Sequence, residues 1–178
     1  MEDKVAIGSQ IRPNEHYVET DNPFDGAIEN ICEVLRRELK EDTEQKLKYI
    51  RRNTQVTSED LVLVPKPPVI SVSFSDWEEN VSTIGQRYPQ TVEYSIWIEI
   101  YYYYQEIKNK RAEKDVRRAL WEIGRLLRRN SDFNGLSSKG AQIHGGRPIL
   151  RRRNDKLYEG GIIRLLVPVL DQTRRGVT

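Results

Sequence analysis

The side chains of this chain suited to catalysis or metal binding are two histidines, His16 and His144, a single cysteine, Cys32, and a few close-set carboxylates. A zinc site needs several His, Cys or carboxylate ligands at short spacings, and neither histidine stands in an HExxH pattern or in ligand spacing with Cys32. Cys32 sits between Ile31 and Glu33 in an amphipathic run with no histidine paired to it, so a small packed side chain is expected there and not a nucleophile. Asp76, Glu78 and Glu79 offer oxygens that suit a hard cation, but three acids in a polar stretch read as a solvated loop. Glu93 and Glu99, six residues apart on one strand face, are too distant for a close catalytic pair. Gly145-Gly146 and Gly160-Gly161 lack the Lys-Ser/Thr and the strand-to-helix setting of a phosphate loop, and are read as hairpin turns. The set predicts no enzyme, no metal site and no cofactor.

Composition bounds the rest. A chain of 178 residues with 37% hydrophobic and 31% charged content, three Trp and nine Tyr can bury one core and is short for two. One cysteine forbids an intrachain disulfide and fits a reducing compartment. The first twenty residues lack the apolar core of a signal peptide, and no window approaches the roughly 18 apolar residues of a membrane span, so a soluble protein with no membrane partner is expected. The formal net charge of +2 hides a strong asymmetry. Residues 1–110 hold 13 Lys plus Arg against 20 Asp plus Glu, and residues 111–178 hold 16 against 7. Three readings of the basic part stay open: solvated or intrachain-paired arginines, a nucleic-acid surface with tyrosines that stack bases, or a face that meets the acidic part of another copy.

The elements that position these residues follow from periodicity. Residues 1–22 are polar and aperiodic and predict an extended arm lying on another surface. Asn22 as cap, Pro23 in the first helical position and Asp25 in the first turn open a helix from residue 23 into the 40s. Its apolar stripe is Phe24, Ile28, Ile31, Leu35 and Leu39. The polar 40–53 segment is helix-prone and continues or restarts that helix. Residues 61–64 (LVLV) and 69–74 (VISVSF) are short strand candidates split by prolines, and residues 76–90 read as a long partner-facing loop. Residues 92–104 (VEYSIWIEIYYYY) alternate strictly and predict a strand roughly 40 Å long, part of it projecting beyond the body. A second amphipathic helix spans about 112–129, with Val116, Leu120, Ile123 and Leu127 inward, Trp121 and Leu126 beside them, and arginines outward. Strand-like pieces follow at 141–144, 148–153 and 162–170, with a further turn at 155–161, and Pro168 favours an edge strand or a bulge. The order predicts an α+β fold: helices packed on one face of a mostly antiparallel sheet, one domain over 23–170, and a short tail at 171–178.

The helix FDGAIENICEVLRREL, the strand PPVISVSF, the long strand TVEYSIWIEIYYYY, the helix AEKDVRRALWEIGRLLRR and the closing LYEGGIIRLLVPVL together resemble the tail terminator, or tail completion, family of long-tailed bacteriophages. The resemblance covers about residues 23–170 and lies in the order of elements; the polar arm and the 40–60 segment depart from it. It implies a non-enzymatic virion protein of the neck, assembled in the host cytoplasm. Such a protein forms a homohexameric ring that caps the tail tube and joins tail to head, with DNA passing through unread. The partners implied are other copies of itself, the tail tube protein and a head completion or connector protein. In such a ring Arg117, Arg118, Arg125 and Arg128 are assigned to intersubunit ion pairs and Tyr101 and Tyr103 to the subunit interface. Asp76, Trp77, Glu78, Glu79 and Arg87 are assigned to tube or connector contact. The alternatives are another neck or tube component, and a basic nucleic-acid-binding module.

Overall fold

The computed structural model describes residues 14–42, 44, 46–59, 61–64, 66–82, 91–137 and 139–171. In chain order the elements are α1 (Pro23–Lys40), β1 (Gln55–Thr57), β2 (Val69–Ser82), β3 (Thr91–Glu106), α2 (Glu113–Arg129), β4 (Gln142–Arg153) and β5 (Lys156–Asp171). The strands form one five-stranded sheet in the order β1-β2-β3-β5-β4. All pairings are antiparallel except the short β1 against β2. The fold is α+β, as expected.

α1 starts where its caps dictate: the Asn22 side chain accepts from the amides of Phe24 and Asp25 at 3.0 and 2.8 Å. Strict alternation builds β3, whose even residues Ile96, Ile98, Ile100 and Tyr102 enter the core beneath the helices. Facing them are Ile31 and Leu35 of α1 and Ile123 and Leu127 of α2, and beside them on the same sheet face are Ile163, Leu165 and Val167 of β5. The long strand does not project alone, because β2 and β5 pair with it almost end to end.

Several local expectations are corrected. Beyond Lys40 the described residues of the 40–53 segment are not helical, because side chains take their amides: Asp42 accepts from Lys46 and Leu47, and Glu122 of α2 accepts from Lys48, Tyr49 and Ile50. The 61–64 run is not a strand; Val64 packs on Val69, Tyr103 and Tyr158 on the sheet face away from the helices, while Val62 and Leu63 are exposed. Residues 76–82 belong to β2, paired from Asp76↔Trp97 to Ser82↔Thr91; the remaining loop residues, 83–90, lie outside the described set. Neither glycine pair is a turn. Both lie inside strands, and the β4–β5 hairpin turns instead at Asn154 and Asp155, whose positive φ values of 44° and 58° match the right-handed twist of the strands they join. A Cβ on Gly160 would lie only 1.9 Å from the Tyr102 carbonyl oxygen, and one on Gly161 only 2.4 Å from Leu120 of α2.

Pro168 is not on an edge strand, since β5 lies between β3 and β4. β4 stops at Gln142↔Leu166, so β5 is locally open beside the proline, and the Pro168 carbonyl accepts from the Ser137 hydroxyl at 2.8 Å. The described part of the arm is anchored: Asn30 of α1 exchanges two 2.9 Å hydrogen bonds with the Val18 backbone. Residues 1–13 and 172–178 lie outside the described set. No helix among the described residues is long and apolar enough to cross a membrane.

Candidate assembly surfaces

α1 lies over the β1-β2-β3 half of the sheet and α2 over the β5-β4 half. This division gives the molecule two flanks of opposite charge.

The basic flank is built from α2 and β4. Apolar spacing turns Val116, Leu120, Ile123 and Leu127 inward, which leaves Lys114, Arg117, Arg118, Arg128 and Arg129 exposed. Trp121 stands among them, 56% exposed, beside the Tyr49 ring across a shallow depression. Local partners already hold three of the assigned arginines. Arg117 lies 3.7 Å from Glu113, Arg118 lies 3.6 Å from Asp115 and caps the Tyr49 ring, and Arg125 sits over the Trp121 ring 5.0 Å from its centroid. Arg128 folds back beside Gly124. Between α2 and the edge strand β4 runs a groove floored by Gly145, Gly146 and Pro148, walled by Trp121 and rimmed by Arg117 and Arg128. β4 contains Arg147, Arg151, Arg152 and Arg153 and no acid.

The acidic flank is built from β2 and the start of α1. β1 covers β2 only over Val69–Ser71, and every residue from Phe74 to Val81 is exposed. Asp76, Glu78 and Glu79 are the charged residues of β2. Large apolar side chains stand among them: Phe74 and Trp77 are 42% and 41% exposed, and both rings pack on Phe24 at the start of α1, with Tyr94 completing the cluster.

The six side chains assigned to a subunit interface are not brought together. The arginines lie on the helix layer, while Tyr101 and Tyr103 are odd-numbered β3 residues on the opposite sheet face. Tyr103 is 1% exposed, packed with Val64, Val69 and Tyr158, so it forms a shielded second layer and offers no ring to a partner. Tyr101 is half-buried, donates to Glu99 at 2.6 Å and lies under the Arg151 guanidinium. Asp76, Trp77, Glu78 and Glu79 lie together on an edge strand and not on a loop, with Trp77 and Glu79 on the helix side of the sheet and Asp76 and Glu78 on the other; Arg87 falls outside the described residues. Sequence reading missed the placement of Trp121. Its spacing puts it next to the buried stripe, and the signal available was the ring of arginines at positions 117, 118, 125 and 128 around it.

Among the described residues no three His, Cys, Asp or Glu side chains gather as a metal site would require. Cys32 is fully buried in the core, and that burial pushes its thiol up to about 12, away from the thiolate a nucleophile needs. Compared with known proteins, the chain matches no family model and no curated sequence.

Proposed function

We propose that this protein is a structural subunit that assembles with copies of itself into a closed ring, in the manner of a phage tail terminator capping the tail tube and joining it to the head. The observation that supports this reading is the pair of flanks, one acidic and one basic, at opposite sides of one sheet. A surface that repels its own kind and attracts the other flank favours head-to-tail association over a two-fold dimer, and head-to-tail contacts close into rings when the rotation per subunit allows. The exposed Trp121, Trp77 and Phe74 supply the aromatic anchors that interfaces enrich. Tail tube and connector proteins are the partners this reading assigns to the two ring faces, with DNA threading the opening unread and the virion neck as its location.

The test is assembly. Purified protein alone and with isolated tail tubes is followed by sedimentation and negative-stain microscopy; rings of about six copies, alone or on tube ends, are expected. A chain that stays monomeric and leaves tube ends bare contradicts the reading.

One observation favours a second reading. On the helix-free sheet face Arg164 lies over Trp97 and Arg151 over Tyr101, a cation–aromatic arrangement of the kind that also stacks bases. The module combining the α2 arginines with the tyrosines is not one surface, so nucleic-acid binding would fall to this face. Fluorescence polarisation with DNA across a salt series separates the readings: tight, steeply salt-dependent binding by the isolated chain favours the second.

A further inference from the structure

Both outer edges of the sheet are open, and they are chemically opposite. Among the described residues, from Val72 onward β2 has β3 on one side and no strand on the other, and β4 has only β5. Among the described residues no other segment makes backbone hydrogen bonds to either open edge. Open edges invite pairing, and proteins commonly block it with charge. Here the charge has one sign on each edge, so β2 with β2 and β4 with β4 are repelled while β2 with β4 is attracted.

We infer that the acidic edge of β2 in one copy adds as an antiparallel strand to the basic edge of β4 in the next, with Trp77 seated over Gly145 and Gly146 in the groove beside α2. The inference rests on the self-assembly reading above and names its contact.

Three features carry it. The strand directions agree: β2 and β4 run oppositely within the sheet, so copies related by a ring axis meet antiparallel. The faces agree as well. Trp77, paired with Ile96, and Gly146, paired with Ile163, both lie on the helix side of the sheet. Gly145 and Gly146 carry no side chain into the groove that they line beside Trp121, which leaves room there for a large ring. Finally, Glu79 follows Trp77 on the same side, which brings its carboxylate to the rim formed by Arg117 and Arg128. Placing Trp77 opposite Gly146 offsets the copies by about four residues, roughly 13 Å along the strands, a shear of the kind that tilted barrel walls contain.

A charge exchange tests this on the full chain. One variant carries Glu79→Arg, the other Arg117→Glu and Arg128→Glu; all three side chains are exposed, and thermal unfolding checks each fold. Each variant alone is expected to self-associate about a hundredfold more weakly than the natural chain, and an equimolar mixture to recover assembly, because the exchanged charges at the groove rim are then opposite again. A Glu79→Cys chain mixed with an Arg128→Cys chain should also form a disulfide-linked heterodimer, the native Cys32 being buried. If either charge variant alone assembles as the natural chain does, or mixing restores nothing, the edge contact is wrong while the ring reading stands. A natural chain that is monomeric both alone and on tail tubes removes the ring reading and this contact with it.

Discussion

α1 and α2 lie on the same sheet, yet they are secured by different chemistry and present different faces. Each buries one polar side chain that holds an irregular segment. In α1 it is Asn30, a neutral amide that grips the backbone at Val18 and its own helix at Gly26. In α2 it is Glu122, 1% exposed, whose carboxylate collects three consecutive amides at 2.8–2.9 Å. α1 has its own cap, whereas the amide of Ala112, at the start of α2, is met by Glu159 reaching up from β5. The difference teaches that the basic helix is fastened from below and behind through carboxylates, which frees its outward face for arginines.

The comparison can be broken most severely at Glu122. Replacing it with Ala strands three amides, and Glu122→Ala should cost about 4 kcal/mol in denaturant unfolding, with Glu122→Gln losing less because one acceptor oxygen remains. Asn30→Ala should cost about 2 kcal/mol and should open the segment around Val18 to protease, leaving the 46–50 segment protected.

Alkaline pH sharpens the contrast from the other direction. Burial raises both the Cys32 thiol of α1 and the Tyr102 phenol of β3 to about 12, above their ordinary values of 9.0 and 10.0. A raised pKa in the folded state means that the unfolded chain loses its proton first. Stability is therefore full below pH 9 and falls between pH 9 and 12, by up to about 1.4 kcal/mol per pH unit for each group. Cys32→Ala should remove the share of that slope that begins near pH 9, and Tyr102→Phe the share that begins near pH 10. The smallest stability effect is expected at Trp121. Trp121→Ala should change unfolding by no more than about 0.5 kcal/mol, since the ring is largely solvent-facing, while weakening self-association.

Much of the fold was legible because its signals are local. Asn22, Pro23 and Asp25 open α1 at the expected residue, and the alternation from Val92 to Tyr104 sets β3 and its inward face. The candidate surface was legible only in part. Arginines on α2 face outward because apolar spacing leaves them no other side, but the pattern cannot say that Tyr101 and Tyr103 lie behind a different layer, nor that a polar stretch after Phe74 continues as strand.

The amino-acid sequence on its own determined where the two helices and the central strand lie, which faces they bury, and that negative charge gathers early and positive charge late. Those properties depend on neighbours three or four positions away, or two in a strand, and on simple counts. Tertiary structure alone decided that residues 46–50 stay irregular, because the carboxylate that takes the amides of Lys48, Tyr49 and Ile50 is more than seventy residues downstream, and that two glycine pairs are strand positions and not turns. It also decided that the acids of β2 and the arginines of β4 stand on opposite edges of one sheet. That separation follows from the strand order, which long-range hydrogen bonding sets and no local pattern records.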